Sequence, residues 1–598
     1  MKRILSFLLA LVTLIPLLAA CHTNPTDGSI STEEETNFET TRQGPYLIIN
    51  GVDVSEFKIL KEYDEFDEVY QALGDTVFAF CGERLEVTER TDSQYLIRIV
   101  EDFSLLPNEY CIRVSEGELR LGVFCSSFTD AVEMAQALLI ERLTGDALLE
   151  WENGYFEKGS FEQSVTPYTS VNGNGSIRLY GGTDKDPLTY VDKTSTVCTK
   201  EDRITFRLAC VAGDKLVSVP WIKYEMYDEA TGKSESGYLD ASTGTASYTH
   251  KTSGIAGAVY FNATACDKNK QPIKRLFATA IDDSFHYRGS AVVNMEKVTM
   301  SAKVPDDFDS FWQSQVDALY KEEIKILKMT EKSSTQSGFK LFYVELRCNV
   351  YSGETDGIVS GYLTYPTNAS ATSQIDLRVG YKGYGFLPAE PQYYDNAATF
   401  SVCAHSIDCE RAKFDSAYLE QEEAKDTIYN ENANSNRETV YFRGMILRDL
   451  QASRFMVEYF GEKGIGNGKG KGLWNGKNFI AEGGSQGAFQ SIAVAALDKN
   501  ITYLEISRPW MSDVKCANKR KQGAFMTYKA ALEYYDTTSF AHLITCKTDV
   551  AVSLGDATAP VSGILSFYNA LTCEKKLICS QNASHMTKIQ TSVTRIYN

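Results

Sequence analysis

The residues best suited to chemistry are the run Gly483-Gly484-Ser485-Gln486-Gly487. The apolar residues 478–481 before it predict a buried strand, and residues 488–497 after it predict a helix packed on both sides. In a G-x-S-x-G arrangement the flanking glycines permit a tight strand-to-helix turn that holds the serine strained and exposed. The helix N-terminus then directs backbone N–H groups at this point, which suits an oxyanion. The alternative is a glycine-rich turn whose serine only caps the helix.

A nucleophilic serine needs an imidazole that accepts its proton and a carboxylate that fixes the imidazole tautomer. Of the six histidines, only His542 and His585 follow Ser485. His585 lies in a polar turn after the predicted strand 576–579, whereas the surroundings of His542 favour packing at the entry of a strand. His585 is therefore the candidate base.

Asp556 is the candidate carboxylate, because it follows the apolar strand 550–552 at the carboxyl end, where an open α/β sheet places its site. A helix predicted over 561–571 and one further strand connect it to His585. Asp549 begins the same strand and would emerge at the opposite end of the sheet. The alternative for Asp556 is a turn aspartate that precedes a proline.

These motifs, with several others, resemble the acetyl xylan esterase and cephalosporin-C deacetylase family, carbohydrate esterase family 7. The matching segments, in chain order, are Pro305–Trp312 (PDDFDSFW), Gly361–Pro366 (GYLTYP), Gly383–Gly385 (GYG), Tyr441–Gly444 (YFRG), Ser485–Gly487 (SQG), Tyr534–Asp536 (YYD), Leu554–Asp556 (LGD), Ala559–Pro560, Phe567–Leu571 (FYNAL) and His585. The resemblance covers residues 300–598 and implies an α/β-hydrolase domain there.

The same resemblance implies a role for each site residue. Ser485 would be the nucleophile, His585 the general base and acid, and Asp556 the orienting carboxylate. The backbone N–H groups of Tyr384 and Gln486 would form the oxyanion hole. The implied reaction is the deacetylation of an acetylated carbohydrate, with no metal or other cofactor.

Two departures from the family bear on the substrate. Lys382 stands where the family has the histidine of its H-G-Y-G loop, and a long cation there would narrow or polarise the mouth of the site. The family's R-G-Q-G loop is absent, and His405 lies in its place, either near the acyl pocket or as a satisfied histidine further out. The charged segment 420–438 has no apolar period and predicts a lid or rim loop.

The amino terminus predicts export and lipid anchoring. Lys2 and Arg3 precede a short apolar stretch, which ends in Leu-Ala-Ala before Cys21. This pattern looks like a bacterial lipoprotein signal peptide (1–21), with lipid attached to Cys21 and a polar, flexible tether over 22–45. We therefore expect an exported enzyme anchored to the membranes of a bacterial cell envelope.

Composition agrees with an exported globular enzyme. The chain has 598 residues, a hydrophobic fraction of 43% and a formal charge of −19, which disfavours a nucleic-acid partner. Its 14 cysteines form no C-x-x-C pair, so we expect neither a zinc site of that kind nor a disulfide scaffold. A homo-oligomer is a further expectation, taken from the family.

Two regions precede the hydrolase segment. Residues 46–150 alternate strands (46–49 and 95–100), helices (65–73 and 129–144) and a hairpin (110–123), which predicts a small α+β domain. Residues 160–298 contain short alternating strands, the clearest being 204–210, 221–227 and 258–265, which predict an immunoglobulin-like β-sandwich. A spacer role fits them best.

The sequence thus predicts a membrane-tethered serine esterase that deacetylates carbohydrate. Two alternatives remain at this point: an α/β-hydrolase that acts on another ester or on a peptide, and a noncatalytic carbohydrate-binding lipoprotein that retains the fold.

Overall fold

The computed structural model describes most of residues 47–597. The segments outside the described part are 1–46, 62–69, 72, 76, 79–81, 83, 90–92, 102–104, 106–108, 116, 125–148, 161–165, 168–177, 184–202, 213–214, 280–281, 352, 386–388, 425–428, 517–526, 586–587 and 598. Cys21 with its signal peptide, the tether 22–45 and the predicted helix 129–144 therefore lie outside the described residues.

The first region contains nine strands in its described residues: β1 (Leu47–Ile49), β2 (Val52–Asp53), β3 (Lys58–Leu60), β4 (Val87–Thr88), β5 (Leu96–Glu101), β6 (Glu109–Ser115), β7 (Glu118–Phe124), β8 (Leu149–Trp151) and β9 (Phe156–Ser160). A 3-10 helix occupies Val54–Glu56. The strands form two sheets, with strand orders β2-β1-β8 and β4-β3-β5-β7-β6-β9. The predicted strands 46–49 and 95–100 and the predicted hairpin 110–123 are confirmed to within one residue. The described residues of the predicted helix 65–73 are helical from Tyr70 onwards. Because β9 pairs with β6, this region extends to residue 160.

The second region contains only strands in its described residues: β10 (Thr166–Pro167), β11 (Arg178–Thr183), β12 (Arg203–Ala212), β13 (Lys215–Ser218), β14 (Trp221–Asp228), β15 (Lys233–Asp240), β16 (Thr245–Lys251), β17 (Gly257–Cys266), β18 (Lys274–Thr279), β19 (Asp282–Ser284) and β20 (His286–Val293). One sheet has the order β10-β13-β12-β11 with β16 on β12, and another has the order β15-β14-β17-β20. The two sheets share an apolar core in which Phe206 stacks on Phe261 at 4.4 Å. The three strands predicted at 204–210, 221–227 and 258–265 are confirmed within β12, β14 and β17.

The third region is a ten-stranded sheet with helices. Its strands are β21 (Ile326–Lys332), β22 (Phe339–Arg347), β23 (Ile358–Pro366), β24 (Ile375–Tyr381), β25 (Ala397–Cys403), β26 (Trp474–Gly484), β27 (Tyr503–Ser507), β28 (Lys547–Ser553), β29 (Lys575–Ala583) and β30 (Lys588–Tyr597). Its helices are α1 (Phe308–Lys321), α2 (Cys409–Phe414), α3 (Ser416–Glu423), α4 (Tyr441–Phe460), α5 (Gln486–Leu497), α6 (Thr537–Phe540) and α7 (Val561–Ala570). Shorter 3-10 helices occupy Met295–Lys297, Glu431–Ser435, Val514–Cys516, Ala530–Tyr535 and Ala541–Leu543.

The order of the central strands creates the crevice that holds the site. The sheet runs β21-β22-β23-β25-β24-β26-β27-β28-β29-β30, and β25, β24 and β26 to β29 are parallel to one another. The chain leaves β24 for β25 on one side and returns to β26 on the other, so the connections diverge at the carboxyl ends of β24 and β26. Such a switch point is where open α/β sheets place their ligands. The protein is therefore a mixed α/β protein with several sheets.

Helix α5 is almost entirely buried in the core of the third region. Every residue of α5 except Leu497 is buried, and Phe489 meets Phe442 of α4 edge-to-face at 5.3 Å. The predicted helix 488–497, packed on both sides, is confirmed and begins two residues earlier. The predicted strands 478–481, 550–552 and 576–579 lie within β26, β28 and β29, and the predicted helix 561–571 is α7.

Hydrogen bonds join the second region, and the segment that leads from β20 to α1, to helix α7 of the third. The Val561 N–H, at the start of α7, donates to the buried hydroxyl of Tyr260 at 3.0 Å. The Asn569 amide donates to the carbonyls of Met295 and Val298, in the segment after β20, at 2.7 and 2.9 Å. The core of the third region accordingly includes Tyr260 of β17.

Two local predictions were wrong. The predicted loop 420–438 is partly helical: α3 extends to Glu423, because the Asp415 carboxylate caps its N-terminus by accepting from the Tyr418 N–H at 2.9 Å, and a 3-10 helix occupies Glu431–Ser435. Gln581 and Asn582 were predicted to lie in a turn, but β29 continues through Ala583.

In the described residues no helix combines the length and the apolar character that a membrane crossing requires. The same residues contain no group of three or more His, Cys, Asp or Glu side chains arranged to hold a metal ion.

Candidate active site

Ser485 is the single residue between the end of β26 and the start of α5. Its backbone has φ 58° and ψ −120°, a conformation that side-chain-bearing residues rarely adopt. Two backbone hydrogen bonds hold the turn: the Ser485 N–H donates to the Ser507 carbonyl at 2.9 Å, and the Trp510 N–H donates to the Ser485 carbonyl at 3.2 Å. The neighbouring strand β27 and the residues after it thus fix the serine in a strained position.

The two flanking glycines are required by close backbone contacts. A Cβ atom at Gly483 would lie 2.4 Å from the Gly487 carbonyl oxygen, and a Cβ at Gly487 would lie 2.1 Å from the Tyr381 carbonyl oxygen. No side chain fits at either position without moving the backbone. The structure therefore confirms the prediction that both positions demand glycine.

His585 lies between Ser485 and Asp556. Its Nε2 is 2.8 Å from the Ser485 Oγ, and its Nδ1 is 2.7 Å from the Asp556 Oδ2. A carboxylate at Nδ1 favours the tautomer in which Nδ1 carries the proton, which leaves Nε2 free to accept the hydroxyl proton. The structure thus brings the three predicted residues together in a connected chain.

The Asp556 carboxylate is fully buried, and two backbone N–H groups hold the oxygen that does not face His585. Oδ1 accepts from the N–H groups of Thr558 and Ala559 at 2.7 and 2.9 Å. These bonds direct Oδ2 at the imidazole.

The two competing residues lie elsewhere. Asp549 is the third residue of β28, and its Oδ2 is 3.8 Å from the Lys576 ammonium. His542 was predicted to pack at a strand entry, which is wrong: it lies in a 3-10 helix, and its Nε2 is 2.8 Å from the Asp309 Oδ1.

The two predicted oxyanion donors belong to segments beside the serine turn. Gln486 is the first residue of α5, and the first N–H groups of a helix have no acceptor within the helix. Tyr384 follows Gly383, whose Cβ position is 3.7 Å from the Gly484 carbonyl oxygen, so its loop runs directly beside the turn. The Tyr384 side chain is 70% exposed at the rim of the site.

Tyr429 connects these two residues, and sequence reasoning missed it. Its ring stacks on that of Tyr384 at 5.0 Å, and its hydroxyl donates to the Gln486 side-chain oxygen at 2.9 Å. Arg508 was also missed: its guanidinium donates to the His585 carbonyl at 2.7 Å. Neither residue belongs to a local motif, so the sequence offered no signal for them.

Lys382 and His405 do not join the triad. Lys382 lines a 540 Å³ cleft on one face of the sheet, together with Glu390, and partial burial lowers the pKa of its ammonium. His405 is buried, and its Nδ1 is 2.7 Å from the hydroxyl of Tyr441. Desolvation, followed by the charge of Arg448, lowers the pKa of His405 to about 3, so the imidazole is neutral at physiological pH.

Comparison with known families gives a direct match. Residues 292–598, about half of the chain, match the family described as Acetyl xylan esterase (AXE1). The chain belongs to the acetyl xylan esterase family. It is a carboxylic ester hydrolase, and the resemblance found in the sequence motifs is confirmed.

Relatives in this family are distant. Acetyl esterase Axe7A of Xylanibacter ruminicola is 21% identical over 334 residues, which are 53% of this chain and 72% of that protein. Among solved structures, acetyl xylan esterase 1 from Thermoanaerobacterium sp. is 16% identical and has a TM-score of 0.39, covering 49% of this chain and 92% of that one. An acetyl xylan esterase from Paenibacillus sp. R4 is 16% identical with a TM-score of 0.38, covering 49% and 93%.

The contacts of Asp556 lead to a first prediction. Asp556→Asn should lower kcat about 10⁴-fold, because an amide at this position can present its NH₂ to Nδ1 and favour the wrong tautomer of His585. Steady-state hydrolysis of an acetyl ester measures the effect. Asp549→Asn is the matched control, a second buried aspartate of the same segment, and should leave kcat unchanged. Equal losses in both variants would contradict the assignment of Asp556.

The burial of His405 leads to a second prediction. The unfolded imidazole binds a proton below its ordinary pKa of 6.5, but the folded one does so only near 3. Acidification through this window therefore favours unfolding, by about 1.4 kcal/mol per pH unit.

His405→Gln should remove this part of the pH dependence. Urea unfolding at about pH 6 and about pH 5 measures it, as a smaller loss of unfolding free energy in the variant. Tyr441→Phe keeps the buried imidazole and should retain the dependence. An unchanged slope in His405→Gln would show that His405 titrates alike in both states.

Proposed function

We propose that this protein is a serine esterase that removes acetyl groups from acetylated carbohydrate through an acyl-enzyme. The observation that carries the proposal is the chain of hydrogen bonds from Ser485 through His585 to Asp556. Membership of the acetyl xylan esterase family supports an acetylated carbohydrate as the substrate.

In the acylation step, the Ser485 Oγ attacks the carbonyl carbon of the acetyl ester while the His585 Nε2 accepts the hydroxyl proton. The Asp556 carboxylate, at hydrogen-bond distance from Nδ1, stabilises the resulting imidazolium. The tetrahedral intermediate collapses as the bond to the sugar oxygen breaks, and the imidazolium returns the proton to that oxygen. The products are the free sugar hydroxyl and acetyl-Ser485.

In the deacylation step, a water molecule takes the place of the sugar hydroxyl. His585 accepts one proton from it as its oxygen attacks the acetyl carbon. Acetic acid, which keeps the second proton of the water, then leaves as the first proton returns to the Ser485 oxygen, and it ionises to acetate in solution. In both steps the former carbonyl oxygen becomes negatively charged. The backbone N–H groups of Tyr384 and Gln486 stabilise this charge by donating hydrogen bonds to the oxygen. Each such donor contributes about 10²–10³ in rate in comparable enzymes.

The exposed ring of Tyr384 supports a sugar as the leaving group. Its ring lies at the rim beside Ser485 and is backed by the ring of Tyr429. Flat aromatic faces of this kind provide apolar contact area at low cost in conformational entropy.

The remaining architecture is part of the proposal. Residues 300–598 are assigned to an α/β-hydrolase domain and 161–298 to an immunoglobulin-like β-sandwich. The small α+β domain, expected over 46–150, is assigned to 46–160 because β9 pairs with β6. Residues 1–21 are assigned to a lipoprotein signal peptide that leaves lipidated Cys21 at the bacterial cell envelope.

The catalytic proposal is tested by acetate release. The form that lacks residues 1–21 should release acetate from acetylated xylo-oligosaccharides, acetylated monosaccharides or p-nitrophenyl acetate, and Ser485→Ala should release none. The preferred member of this panel identifies the glycan. If the folded protein releases acetate from none of these esters, the deacetylase proposal fails and a carbohydrate-binding lipoprotein becomes the better account.

The anchoring proposal has its own test. In a bacterial host, the full chain should incorporate radiolabelled fatty acid and partition with membranes. Cys21→Ser should abolish both, because its hydroxyl cannot form the thioether to lipid. A labelled Cys21→Ser variant, or an unlabelled wild-type chain in the membrane fraction, would contradict anchoring through Cys21.

A further inference from the structure

Strand β20, which belongs to the second region, passes directly over the two segments that carry Asp556 and His585. Its backbone at Arg288 lies between Gly555, the residue before Asp556, and Asn582, three residues before His585. The family match begins at residue 292, so most of β20 precedes it.

The first contact is a two-way clamp at Gln581. The Ser290 N–H donates to the Gln581 Oε1 at 3.1 Å, and the Gln581 Nε2 donates to the Ser290 carbonyl at 2.9 Å. Gln581 is buried, so this side chain satisfies the backbone N–H and the backbone carbonyl of Ser290 away from water.

The second contact is at Asn582, which has a left-handed backbone with φ 52°. The Arg288 N–H donates to its Oδ1 at 3.0 Å, and its Nδ2 is 3.5 Å from the Leu179 carbonyl. Asparagine tolerates this backbone conformation better than most residues. The bend that it permits leads the chain from β29 to His585.

The third contact is steric and involves two glycines. A Cβ at Gly289 would lie 2.1 Å from the Gln581 Oε1, and a Cβ at Gly555 would lie 2.5 Å from the Arg288 carbonyl oxygen. A further hydrogen bond, from the Gly555 N–H to the Ala583 carbonyl at 2.9 Å, ties the two catalytic segments to each other. β20 therefore packs against both segments at backbone distance.

We propose that β20 is a positioning element for the catalytic base: through Gln581 and Asn582 it fixes the segment that holds His585 at hydrogen-bond distance from Ser485 and Asp556. This inference rests on the proposed serine-esterase function. It gives the region before the family match a part in catalysis, in place of the spacer role expected from sequence. None of the β20 residues contacts the reacting atoms, so their effect passes through His585.

The test uses substitutions in the form that lacks residues 1–21. Asn582→Gly removes the side-chain acceptor and keeps a backbone that tolerates positive φ, whereas Asn582→Asp retains the acceptor for the Arg288 N–H. Gln581→Ala removes the two-way clamp. The control is Asp240→Ala, which removes one exposed, local hydrogen bond, from the Ser242 N–H to the Asp240 Oδ1 at 2.9 Å, at the end of β15 in the same sheet but away from β29.

Asn582→Gly and Gln581→Ala should each lower kcat, by about 10- to 100-fold, because small misplacements of a catalytic group have effects of this size. KM should stay unchanged, and Asn582→Asp should recover most of the activity. Asp240→Ala should behave as wild type. Thermal unfolding and circular dichroism would show that each variant is folded.

A second readout does not depend on turnover. The proton on the His585 Nδ1, hydrogen-bonded to Asp556, should give a far-downfield proton NMR signal, identified by its absence from His585→Gln. This signal should weaken or move in Asn582→Gly and persist in Asp240→Ala. Failure of the wild-type protein to release acetate would count against the proposed function, whereas the NMR comparison would still decide the positioning role.

The positioning role is overturned if Asn582→Gly and Gln581→Ala retain both the wild-type kcat and the wild-type signal. It is equally overturned if their losses follow a general loss of folding that Asn582→Asp does not reverse.

Discussion

The geometry of this site depends on the close approach of three backbone segments at the end of β26. Gly487 at the start of α5 touches the Tyr381 carbonyl at the end of β24, and Gly483 touches Gly487. Only glycine fits at these two contacts, and Ser485 between them is forced to positive φ. The same contact brings the loop of Tyr384 beside the first N–H groups of α5. One packing constraint therefore positions both the proposed nucleophile and the two candidate oxyanion donors.

The proposed acid–base pair, His585 and Asp556, is positioned by different means. Asp556 is held by N–H groups of its own loop, whereas the carbonyl of His585 is held by Arg508 and the preceding residues by β20. These supports come from three separate parts of the chain. The chain of hydrogen bonds from Ser485 to Asp556 is thus assembled across the sheet, and we expect its two halves to respond to different substitutions.

The sequence predicted those features that short-range patterns encode. The turn at Ser485 lies in a five-residue motif between a strand and a helix of plain apolar character, and both were found where expected. The positions of Asp556 and His585 followed from chain order and from strand ends, and the family resemblance agreed with them. The strands at 204–210, 221–227 and 258–265 were also correct, because alternation of side chains is a local property.

What the sequence did not predict depends on contacts between distant residues. His542 was assigned from its apolar neighbours, but its partner Asp309 lies 233 positions away in the chain. Tyr429, Arg508 and Asn582 are ordinary residue types outside any motif, and their roles arise only when the sheet is assembled. The helical parts of 420–438 begin at side-chain caps, Asp415 for α3 and Asn430 for the 3-10 helix, in a stretch with no apolar period. Neither the length of a segment nor the spacing of its residues indicated any of these contacts or caps.

The most direct test of the account is to identify the acylated residue. The protein is mixed with p-nitrophenyl acetate, quenched in acid during turnover and digested, and the acetylated peptide is sequenced by mass spectrometry. The account predicts one acetyl group on Ser485, absent when the protein is denatured before mixing. Acetate release with the acetyl group on another residue, or with no acetylated residue under conditions that trap acyl-enzymes, would contradict it.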